Sequence, residues 1–255
     1  YICIRLKLLC LSKSPKESAA LHPLSQTYQA RARGPGASLR MFRCTRLARR
    51  PRVSLYHGFL SPEECTALIQ MAGARLGGCE VNAARGHRRS SDGCWIPRSD
   101  LPSVWHTEWQ RSLVAAVEDR IALATGFPLQ NGEPSQILRY TRGAEYSLHP
   151  DFFDPADHSA LANGGQRCAT LIVYLSSVPV DDGGATFFPK ARLRVQPSIG
   201  DALLWHNTDP GGRVDPRSVH ASEPVRSRAV KWVLSKWLRA RRFTVDCRGF
   251  RQEHW

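Results

Sequence analysis

The sequence lacks the patterns that mark several classes of protein. Its eight cysteines form no Cys-x-x-Cys pair, which argues against a structural zinc cluster and against a dithiol redox centre. An even number of cysteines permits disulfides without requiring them. No apolar run is long enough to cross a bilayer, since the apolar start YICIRLKLLCLSK is interrupted by Arg5 and Lys7. This start also lacks an A-x-A cleavage pattern, so we expect no transmembrane anchor.

Acidic residues are nearly absent from the first 52 residues, which hold twelve Lys and Arg and one Glu. The formal net charge of the chain is +14, so this segment contributes +11 and the rest only +3. A basic segment that also contains Gly34, Pro35 and Gly36 is typical of a solvated tail. Anionic lipid and nucleic acid are alternative partners of such a tail, although charge alone disfavours specific nucleic-acid binding.

Helical signals follow the basic segment. Ser61 and Glu64 have the spacing of a capping box at the start of one helix. Apolar residues then recur at helical spacing from about Ser103 to Thr125, before Gly126 and Pro128 end the pattern. These two helices are expected to brace a sheet.

From Gln136 onward the signals change to short β-rich runs separated by Gly, Pro and Asp. The runs are ATLIVYLSSV, ATFFP, RLRVQP, DALLWHN, SVHAS and VKWVLSKWL. Many short strands at this spacing are typical of a jelly roll, whose two packed sheets enclose a cavity. We therefore predict an α+β fold that is mainly β, with a double-stranded β-helix (jelly roll) core braced by N-terminal helices.

One domain accounts for most of the chain, because 255 residues with 42% hydrophobic content suffice for one sizeable core. The predicted segments are a basic, disordered tail over 1–52, a helical N-terminal support over 53–130, the jelly roll over 131–242 and a C-terminal tail over 243–255. Within the jelly roll, the polar loop from Phe153 to Gly165 is interpreted as a mobile flap over the cavity.

A His-x-Asp pair with a distant second histidine carries the chemical inference. His149 and Asp151 are separated by one residue, so on a strand both side chains point to the same side. His220 would come from a strand that the fold brings alongside. Two imidazoles and one carboxylate are the ligands of mononuclear non-haem Fe(II) sites, which keep positions open for a cosubstrate and oxygen. So short a motif also matches by chance, and the surrounding sequence gives it weight.

A cation follows the second histidine at a spacing that suits a shared pocket. Pro224 and the polar pair Ser227-Arg228 predict a turn, so His220 and Lys231 are expected on neighbouring antiparallel strands that flank one pocket. A lysine beside a metal favours an anionic ligand. A dicarboxylate can chelate iron through a 2-oxo acid group while its far carboxylate contacts the lysine, and 2-oxoglutarate fits this description.

The stretch from Gln136 to Arg239 resembles the prolyl 4-hydroxylase branch of the Fe(II)- and 2-oxoglutarate-dependent dioxygenases. The likeness rests on spaced motifs in the order of that family: RYTRGAEYSLHPD, DDGGATFFP, GDALLWHN, HASEPV and KWVLSKW. It extends more weakly upstream through RRSSDGCWIP and RIALATGFP and leaves only the basic segment unmatched. The resemblance implies that His149, Asp151 and His220 ligate iron.

The resemblance also implies three contacts to the cosubstrate. Lys231 would pair with the distal carboxylate of 2-oxoglutarate, while Tyr140 and Thr186 would hydrogen-bond the same molecule. Read without the motifs, Tyr140 is a half-buried strand aromatic, Thr186 a residue after a glycine turn, and Lys231 an exposed strand lysine.

Three further residues match family positions that contact the substrate peptide, namely Tyr146, Arg167 and Trp237. Trp237 lies in the KWVLSKW run, where an aromatic side chain equally suits core packing.

The sequence departs from the family pattern at two places. GAEY stands where Gly-Gln-x-Tyr is commoner, and the spacing from His220 to Lys231 is one residue longer than usual. If the turn absorbs the extra residue, Lys231 keeps its direction. Otherwise it points to the opposite face of its strand and Arg228 becomes the substitute cation. Asp151 retains the carboxylate that halogenating relatives lack, so hydroxylation is the expected outcome.

By this resemblance the chain is an Fe(II)- and 2-oxoglutarate-dependent dioxygenase, supported by L-ascorbate, that hydroxylates a peptidyl residue, above all proline, and releases succinate. Its partner would be a peptide or protein substrate with proline. Two alternatives stay open: the same chemistry on a free amino acid, small metabolite or nucleobase, or a non-catalytic jelly-roll binding module. Ferrous iron suits a reducing compartment, so the cytoplasm is the expected location and the secretory lumen the alternative. The sequence indicates no oligomeric state.

Overall fold

The helices and strands come from a computed structural model that describes residues 25–31, 39–73, 75–79, 89–101 and 107–245. The helices of this part of the chain are α1 (Pro62–Gly73), α2 (Glu108–Thr125) and α3 (His158–Ala162). The strands, in chain order, are β1 Ser25–Arg31, β2 Leu39–Ala48, β3 Val53–His57, β4 Gly77–Cys79, β5 Ser91–Ile96, β6 Ser135–Tyr140, β7 Tyr146–His149, β8 Arg167–Tyr174, β9 Thr186–Phe188, β10 Leu193–Val195, β11 Ala202–His206, β12 His220–Ser222 and β13 Lys231–Arg239.

The strands form two antiparallel sheets packed face to face. The larger has nine strands in the order β1-β2-β3-β11-β8-β13-β6-β5-β4, and the smaller has four in the order β10-β9-β12-β7. Between them lies an apolar cluster to which the larger sheet contributes Tyr174 and Trp205 and the smaller sheet Phe188 and Val195. This is the mainly β jelly roll that the strand rhythm predicted, and the predicted fold class is confirmed.

The two long helices cover the other face of the nine-stranded sheet. Leu68 of α1 and Val117 and Ile121 of α2 are buried in one cluster with strand residues. Burying a side chain of this size contributes about 1.5–3 kcal/mol. The Tyr56 hydroxyl donates to the carbonyl of Ala124 at 2.8 Å, which ties α2 to β3. The helices therefore brace the sheet from outside and leave its inner face free for a site.

Both helix starts follow from local chemistry. The Glu64 amide donates to Ser61 Oγ at 3.1 Å, and the Ser61 amide donates to Glu64 Oε2 at 2.8 Å, so the predicted capping box is confirmed. The second helix begins at Glu108 rather than near Ser103, with the Thr107 hydroxyl accepting from the Gln110 amide. Residues 102–106 lie outside the described part of the chain.

The predicted disordered tail over 1–52 is wrong for residues 39–48. They form β2, which pairs with β3 and buries Phe42 and Cys44 under the helices. Residues 25–31 pair with β2 in turn as β1. The error has a physical cause: Arg40, Arg43 and Arg46 recur at every third position, so the segment shows a high net charge and no two-residue alternation of apolar and polar side chains. Residues 1–24 and 32–38 lie outside the described residues.

The predicted boundary between a helical support and the jelly roll also differs from the structure. Strands β3, β4 and β5 lie within 53–130, and all three belong to the nine-stranded sheet. At the other end, the Phe243 amide donates to the Gln130 carbonyl at 2.9 Å, so the predicted C-terminal tail starts attached to the body. Residues 246–255 are outside the described range. Among the described helices, none has the length and apolar composition needed to cross a bilayer.

Candidate active site

The three candidate ligands converge between the sheets. His149 ends β7 and His220 begins β12, and the two residues face each other across that strand pair. The Nε2 atom of each histidine lies 3.7 Å from a carboxylate oxygen of Asp151. One ligand atom from each residue falls within 4.8 Å of the other two, and all three residues are buried. The three side chains are close enough to share one ion.

The spacing of His149 and Asp151 predicted that they share a strand, but in the structure they do not. β7 ends at His149, and the chain bends at Asp151 after Pro150. The bend brings the carboxylate towards both imidazoles, so the convergence stands although the predicted reason for it is wrong.

The environment of the histidines leaves one nitrogen of each ring available to a metal. Nδ1 of His149 lies 2.7 Å from the carbonyl of Ser147, and Nδ1 of His220 lies 3.0 Å from the carbonyl of Ser218. Because a carbonyl only accepts, each Nδ1 carries the proton and donates it. Each Nε2 is then unprotonated, which is the usual state of a metal-ligating histidine with an oriented ring.

The candidate carboxylate is held by a short chain of hydrogen bonds. The Thr170 hydroxyl donates to Asp151 Oδ2 at 2.6 Å, and the Asn207 amide donates to the Thr170 hydroxyl at 3.0 Å. Burial would raise the pKa of Asp151, but His220, His149 and the Thr170 bond together lower it below its ordinary value. Burial lowers the pKa of His220. An ionised carboxylate and a neutral imidazole are the forms that bind a metal.

A buried lysine lies at the inner end of the same cavity. Lys231 is only 1% exposed, and its Nζ donates to Ser222 Oγ at 2.7 Å. It pairs with Tyr140 across β13 and β6, and its Nζ lies 5.2 Å from the centroid of that ring. Burial lowers the pKa of Lys231 to about 7, against the opposing field of Glu223. An anion in this cavity would supply the missing counter-charge.

The remaining cosubstrate candidate, Thr186, lines the same cavity and accepts a hydrogen bond from the Tyr174 hydroxyl at 2.8 Å. The cavity is open to solvent and is lined by Tyr140, Thr186 and Lys231 together with the three candidate ligands. Arg228 is exposed, so it does not replace Lys231 as the cation of the site.

The prediction that His220 and Lys231 lie on neighbouring strands is wrong, because the two strands belong to different sheets. His220 is in β12 of the four-stranded sheet, and Lys231 is in β13 of the nine-stranded sheet. The segment between them crosses from one sheet to the other instead of forming a hairpin. The extra residue is absorbed in this crossing, and the lysine faces the ion site from the opposite wall.

Comparison with known proteins assigns the family. The sequence model of the 2OG-Fe(II) oxygenase superfamily matches residues 135–239. Probable prolyl 4-hydroxylase 6 of Arabidopsis thaliana is 38% identical over 219 residues, which cover 79% of this chain and 73% of that protein. The chain belongs to the prolyl 4-hydroxylase-like 2OG-Fe(II) oxygenases. Prolyl 4-hydroxylase 1 of the same plant is 37% identical, and the aligned stretch covers 74% of this oxygenase and 69% of that protein.

Solved structures agree with the fold of the oxygenase. The viral collagen prolyl hydroxylase from Paramecium Bursaria Chlorella virus-1, in its 2OG complex, has a TM-score of 0.57 and 26% identity, covering 74% of this chain and 96% of that chain. A prolyl-4-hydroxylase from Pseudomonas putida has a TM-score of 0.52 at 20% identity, covering 74% and 92% respectively, which supports the fold alone.

The oxygenase depends on Fe(II) and 2-oxoglutarate, and its residues fit both. The fit rests on the donor set: two buried imidazoles with unprotonated Nε2 atoms and one ionised carboxylate form the facial triad of non-haem Fe(II) oxygenases. The buried ammonium group across the cavity complements a dianionic cosubstrate.

Two of the three substrate candidates lie together at one end of the cavity, here called its mouth, where Arg167 contacts Trp237 of the cavity wall. The Arg167 guanidinium lies 4.4 Å from the ring centroid of Trp237 and forms a two-point ion pair with Glu133, at 2.7 Å from each carboxylate oxygen. Arg239 donates to the same carboxylate at 3.0 Å. Trp237 is 9% exposed and lines the cavity, so core packing and a wall of the site coincide in this residue.

A β-bulge places Arg167 at the mouth. On β8, Ala169 pairs with Leu238 and Arg167 pairs with Arg239, so Cys168 is an extra residue between the two pairs. Without the bulge, Arg167 would follow the alternation of Ala169 and point towards the helices. Bulges beside active sites redirect side chains in this way.

The third substrate candidate, Tyr146, stacks on a candidate ligand. Its ring lies 3.4 Å from the His149 ring, centroid to centroid, at an interplanar angle of 12°. The Arg89 guanidinium lies 5.3 Å from the centroid of the Tyr146 ring, and it is held by hydrogen bonds to the side chains of Ser91 and Gln136. Burial, followed by the charge of Asp151, raises the pKa of Tyr146 to about 12, so the phenol stays protonated.

Sequence reasoning missed several residues that build the site, namely Arg89, Glu133, Thr170, Ser222 and Arg239. Their side chains act on predicted residues, and no motif spacing marks such partners. The predicted flap is a short helix, α3, joined to the body by the Gln166 side chain, which binds both backbone groups of Phe153. Asp157 caps that helix, because its carboxylate accepts from the Ala160 amide at 3.0 Å.

Proposed function

We propose that this oxygenase hydroxylates a prolyl residue in a peptide or protein substrate. One observation supports the proposal above the others: the cavity that holds His149, Asp151 and His220 is also lined by the aromatic side chains of Tyr146 and Trp237. Flat aromatic surfaces beside a cation suit a pyrrolidine ring and the carbonyl groups around it. The relatives named prolyl 4-hydroxylases support the same substrate class.

Bound Fe(II) supplies the coupled chemistry in which 2-oxoglutarate is oxidatively decarboxylated to succinate and the substrate carbon receives a hydroxyl group. The residues of the chain hold and orient the participants. His149, Asp151 and His220 are the proposed iron ligands, with ring and carboxylate directions fixed by Ser147, Ser218 and Thr170. These hydrogen bonds would hold the three side chains in place for the ion.

The inner end of the cavity is the proposed cosubstrate site. Lys231 pairs with the distal carboxylate, and the hydroxyls of Tyr140 and Thr186 donate hydrogen bonds to the same molecule. Ser222 positions the ammonium group at 2.7 Å in the absence of the anion. Because the lysine is buried, this ion pair excludes water and is stronger than a surface pair.

The outer end is the proposed peptide site. Arg167 donates to a substrate carbonyl with a group that Glu133 does not use, and Trp237 and Tyr146 hold the ring of the target proline. Arg239 completes the wall, since it shares the Glu133 carboxylate with Arg167.

The direct test is turnover. Purified protein with Fe(II), L-ascorbate, 2-oxoglutarate and a proline-rich peptide is expected to form succinate and to add one oxygen atom to the peptide. His149→Ala should abolish both products, while the exposed histidine of α3 supplies a matched control, His158→Ala, that should keep them. Turnover that survives His149→Ala would contradict the metal assignment.

The same assay separates the alternatives. Oxygen added to free proline or to a nucleobase but to no peptide would move the function to a small substrate. A protein that fails to bind Fe(II) in an anaerobic titration would be a binding module. The cytoplasmic location, expected because ferrous iron suits a reducing compartment, stays a proposal.

A further inference from the structure

The hairpin that joins β2 to β3 concentrates positive charge. Residues 43–52, here called the arginine hairpin, contain five arginines and no acidic residue. Four of the arginines are exposed and the last is half-buried; in order they are Arg43, Arg46, Arg49, Arg50 and Arg52. Within the described part of the chain, none of the five forms an ion pair. Some exposed arginines elsewhere do: Arg213 binds Asp209, and Arg194 binds Glu223.

The charge of the arginine hairpin also lowers the pKa of side chains within and beside it. Burial and the nearby Arg46 lower the pKa of Arg52, and Asp209 opposes them only weakly. Burial and Arg52 lower the pKa of His206 to about 4, and its buried Nδ1 has no hydrogen-bond partner. Residues 25–31, which pair with β2, contain no acidic residue either. In the described part of the chain, no carboxylate forms an ion pair with these arginines, so the positive field costs free energy through self-repulsion.

The strand order places this charge near the mouth of the active site. The Arg52 carbonyl accepts from the His206 amide at 3.1 Å, and His206 pairs with Ala169 of β8. Ala169 is the neighbour of Thr170, which binds Asp151, and is two residues from Arg167. Two strand spacings of about 4.8 Å separate β3 from β8, so roughly three extended residues bridge the backbones. The turn of the hairpin and the mouth lie at the same end of the nine-stranded sheet.

We propose that the arginine hairpin docks an acidic stretch of the polypeptide that carries the target proline, about four to eight residues away from it. The inference rests on the proposed function. Guanidinium groups pair with carboxylates in a two-point geometry. Arg46 donates to Ser54 Oγ at 3.0 Å, but none of the five is paired with a carboxylate in the described part of the chain, so together they suit a run of Asp or Glu. Polypeptide is favoured over nucleic acid because one extended chain can occupy the cavity and the hairpin together.

Docking outside the cavity has a kinetic signature. The contacts are equal in the ground state and in the transition state, so they lower KM without changing kcat. Linking them to the proline converts a weak contact into an intramolecular one. Both effects depend on exposed charges and weaken as the Debye length falls below about 10 Å.

The experiment compares peptides that share one proline segment. One peptide carries four glutamates on either side of the proline, about four to eight residues away from it. The other peptide carries glutamines at the same positions. With the intact protein at low salt, the glutamate peptide should have a KM about fivefold lower, with equal kcat. The triple variant Arg46→Gln, Arg49→Gln, Arg50→Gln should remove this difference and leave the KM of the glutamine peptide unchanged. An unchanged KM also reports that the variant is folded.

A control variant removes the same charge elsewhere, through Arg142→Gln, Arg226→Gln and Arg228→Gln at exposed positions. It should keep the fivefold difference. Equal KM values for the two peptides, a difference that survives in the hairpin variant, or the same loss in the control would each overturn the proposal.

Binding measured without turnover separates this proposal from the proposed function. Fluorescence anisotropy of a labelled glutamate peptide should show binding that the hairpin variant loses. If neither peptide is hydroxylated, the proposed prolyl substrate is wrong. Anisotropy still decides whether the arginine hairpin binds the glutamate peptide. Hairpin-dependent binding of a single-stranded oligonucleotide, with none of the glutamate peptide, would assign the surface to nucleic acid and refute the docking of polypeptide.

Discussion

Lys231→Met tests the most unusual electrostatic feature of the cavity. Methionine keeps most of the length and apolar volume of the lysine side chain while removing the ammonium group. In the protein without cosubstrate, that group is 1% exposed and has the Ser222 hydroxyl as a neutral partner at 2.7 Å. A buried ammonium group without a counter-ion opposes folding. The variant should therefore be more stable than the wild type when 2-oxoglutarate is absent.

The magnitude follows from the pKa of Lys231, which burial lowers from 10.5 to about 7. At about 1.4 kcal/mol per pH unit, this shift corresponds to about 4–5 kcal/mol of destabilisation at low pH. Between pH 7 and pH 10.5 the unfolded chain keeps the proton that the folded protein has released. Wild-type stability therefore rises with pH across this window, and the variant lacks that contribution.

Urea denaturation of the iron-free protein at several pH values measures the effect. The gain from Lys231→Met should be about 4 kcal/mol near neutral pH or below, and should shrink by about 2–3 kcal/mol by about pH 9. Lys190→Met, at an exposed lysine, should show neither the gain nor its pH dependence. A gain that is constant with pH, or a loss of stability, would refute the reasoning.

The same substitution should reverse in effect once 2-oxoglutarate is added. The dianion stabilises the charged lysine, so the wild type gains stability on binding and the variant does not. Calorimetry near pH 8 should show uptake of about one proton by the wild type on binding, because the free lysine is mostly neutral there and the bound one is charged. Binding without proton uptake would mean that the cosubstrate does not pair with Lys231.

Three further predictions follow from contacts around the site. Thr170→Val removes the hydrogen bond to Asp151 and should weaken Fe(II) binding about tenfold in an anaerobic titration, with Thr66→Val on the surface of α1 as the control. Glu133→Gln leaves buried Arg239 and partly buried Arg167 without their carboxylate and should cost about 3 kcal/mol in urea denaturation; an unchanged midpoint would contradict the importance of this ion pair. Gly183→Ala should cost about 1–3 kcal/mol and lower the melting temperature, because Gly183 has φ +71° and its Cβ would clash with a neighbouring backbone carbonyl.

The sequence predicted most reliably what depends on local pattern. The capping box of Ser61 and Glu64 and the β-rich runs after Gln136 depend on neighbours in the chain, and both appear in the structure. β2 was missed because its arginines dominate the composition, while its buried Phe42 and Cys44 only acquire meaning once β3 lies beside them. Burial is a property of the packed sheet, so charge counting alone cannot find such a strand.

The site shows the same limit in more detail. The motifs named His149, Asp151 and His220, and the structure brings them together, yet for a reason other than the one predicted. Strand period put the first two on one strand, whereas a bend after Pro150 turns Asp151 towards both rings. Motif spacing specifies which residues meet, and the backbone conformation between them decides how.

The β-bulge at Cys168 extends this argument to the substrate side. Strict alternation along β8 would send the Arg167 guanidinium to the face that α1 and α2 cover, where it would lack Glu133 and the ring of Trp237. One extra residue in the strand reverses its direction, and partly buried Arg167 and buried Arg239 then share one carboxylate at the mouth of the cavity. Two guanidinium groups are tolerable this close together only while that carboxylate is ionised, so the position of Arg167 depends on Glu133 as much as on the bulge. The mouth is therefore a cooperative unit, in which a change at Glu133 should alter peptide KM as well as stability.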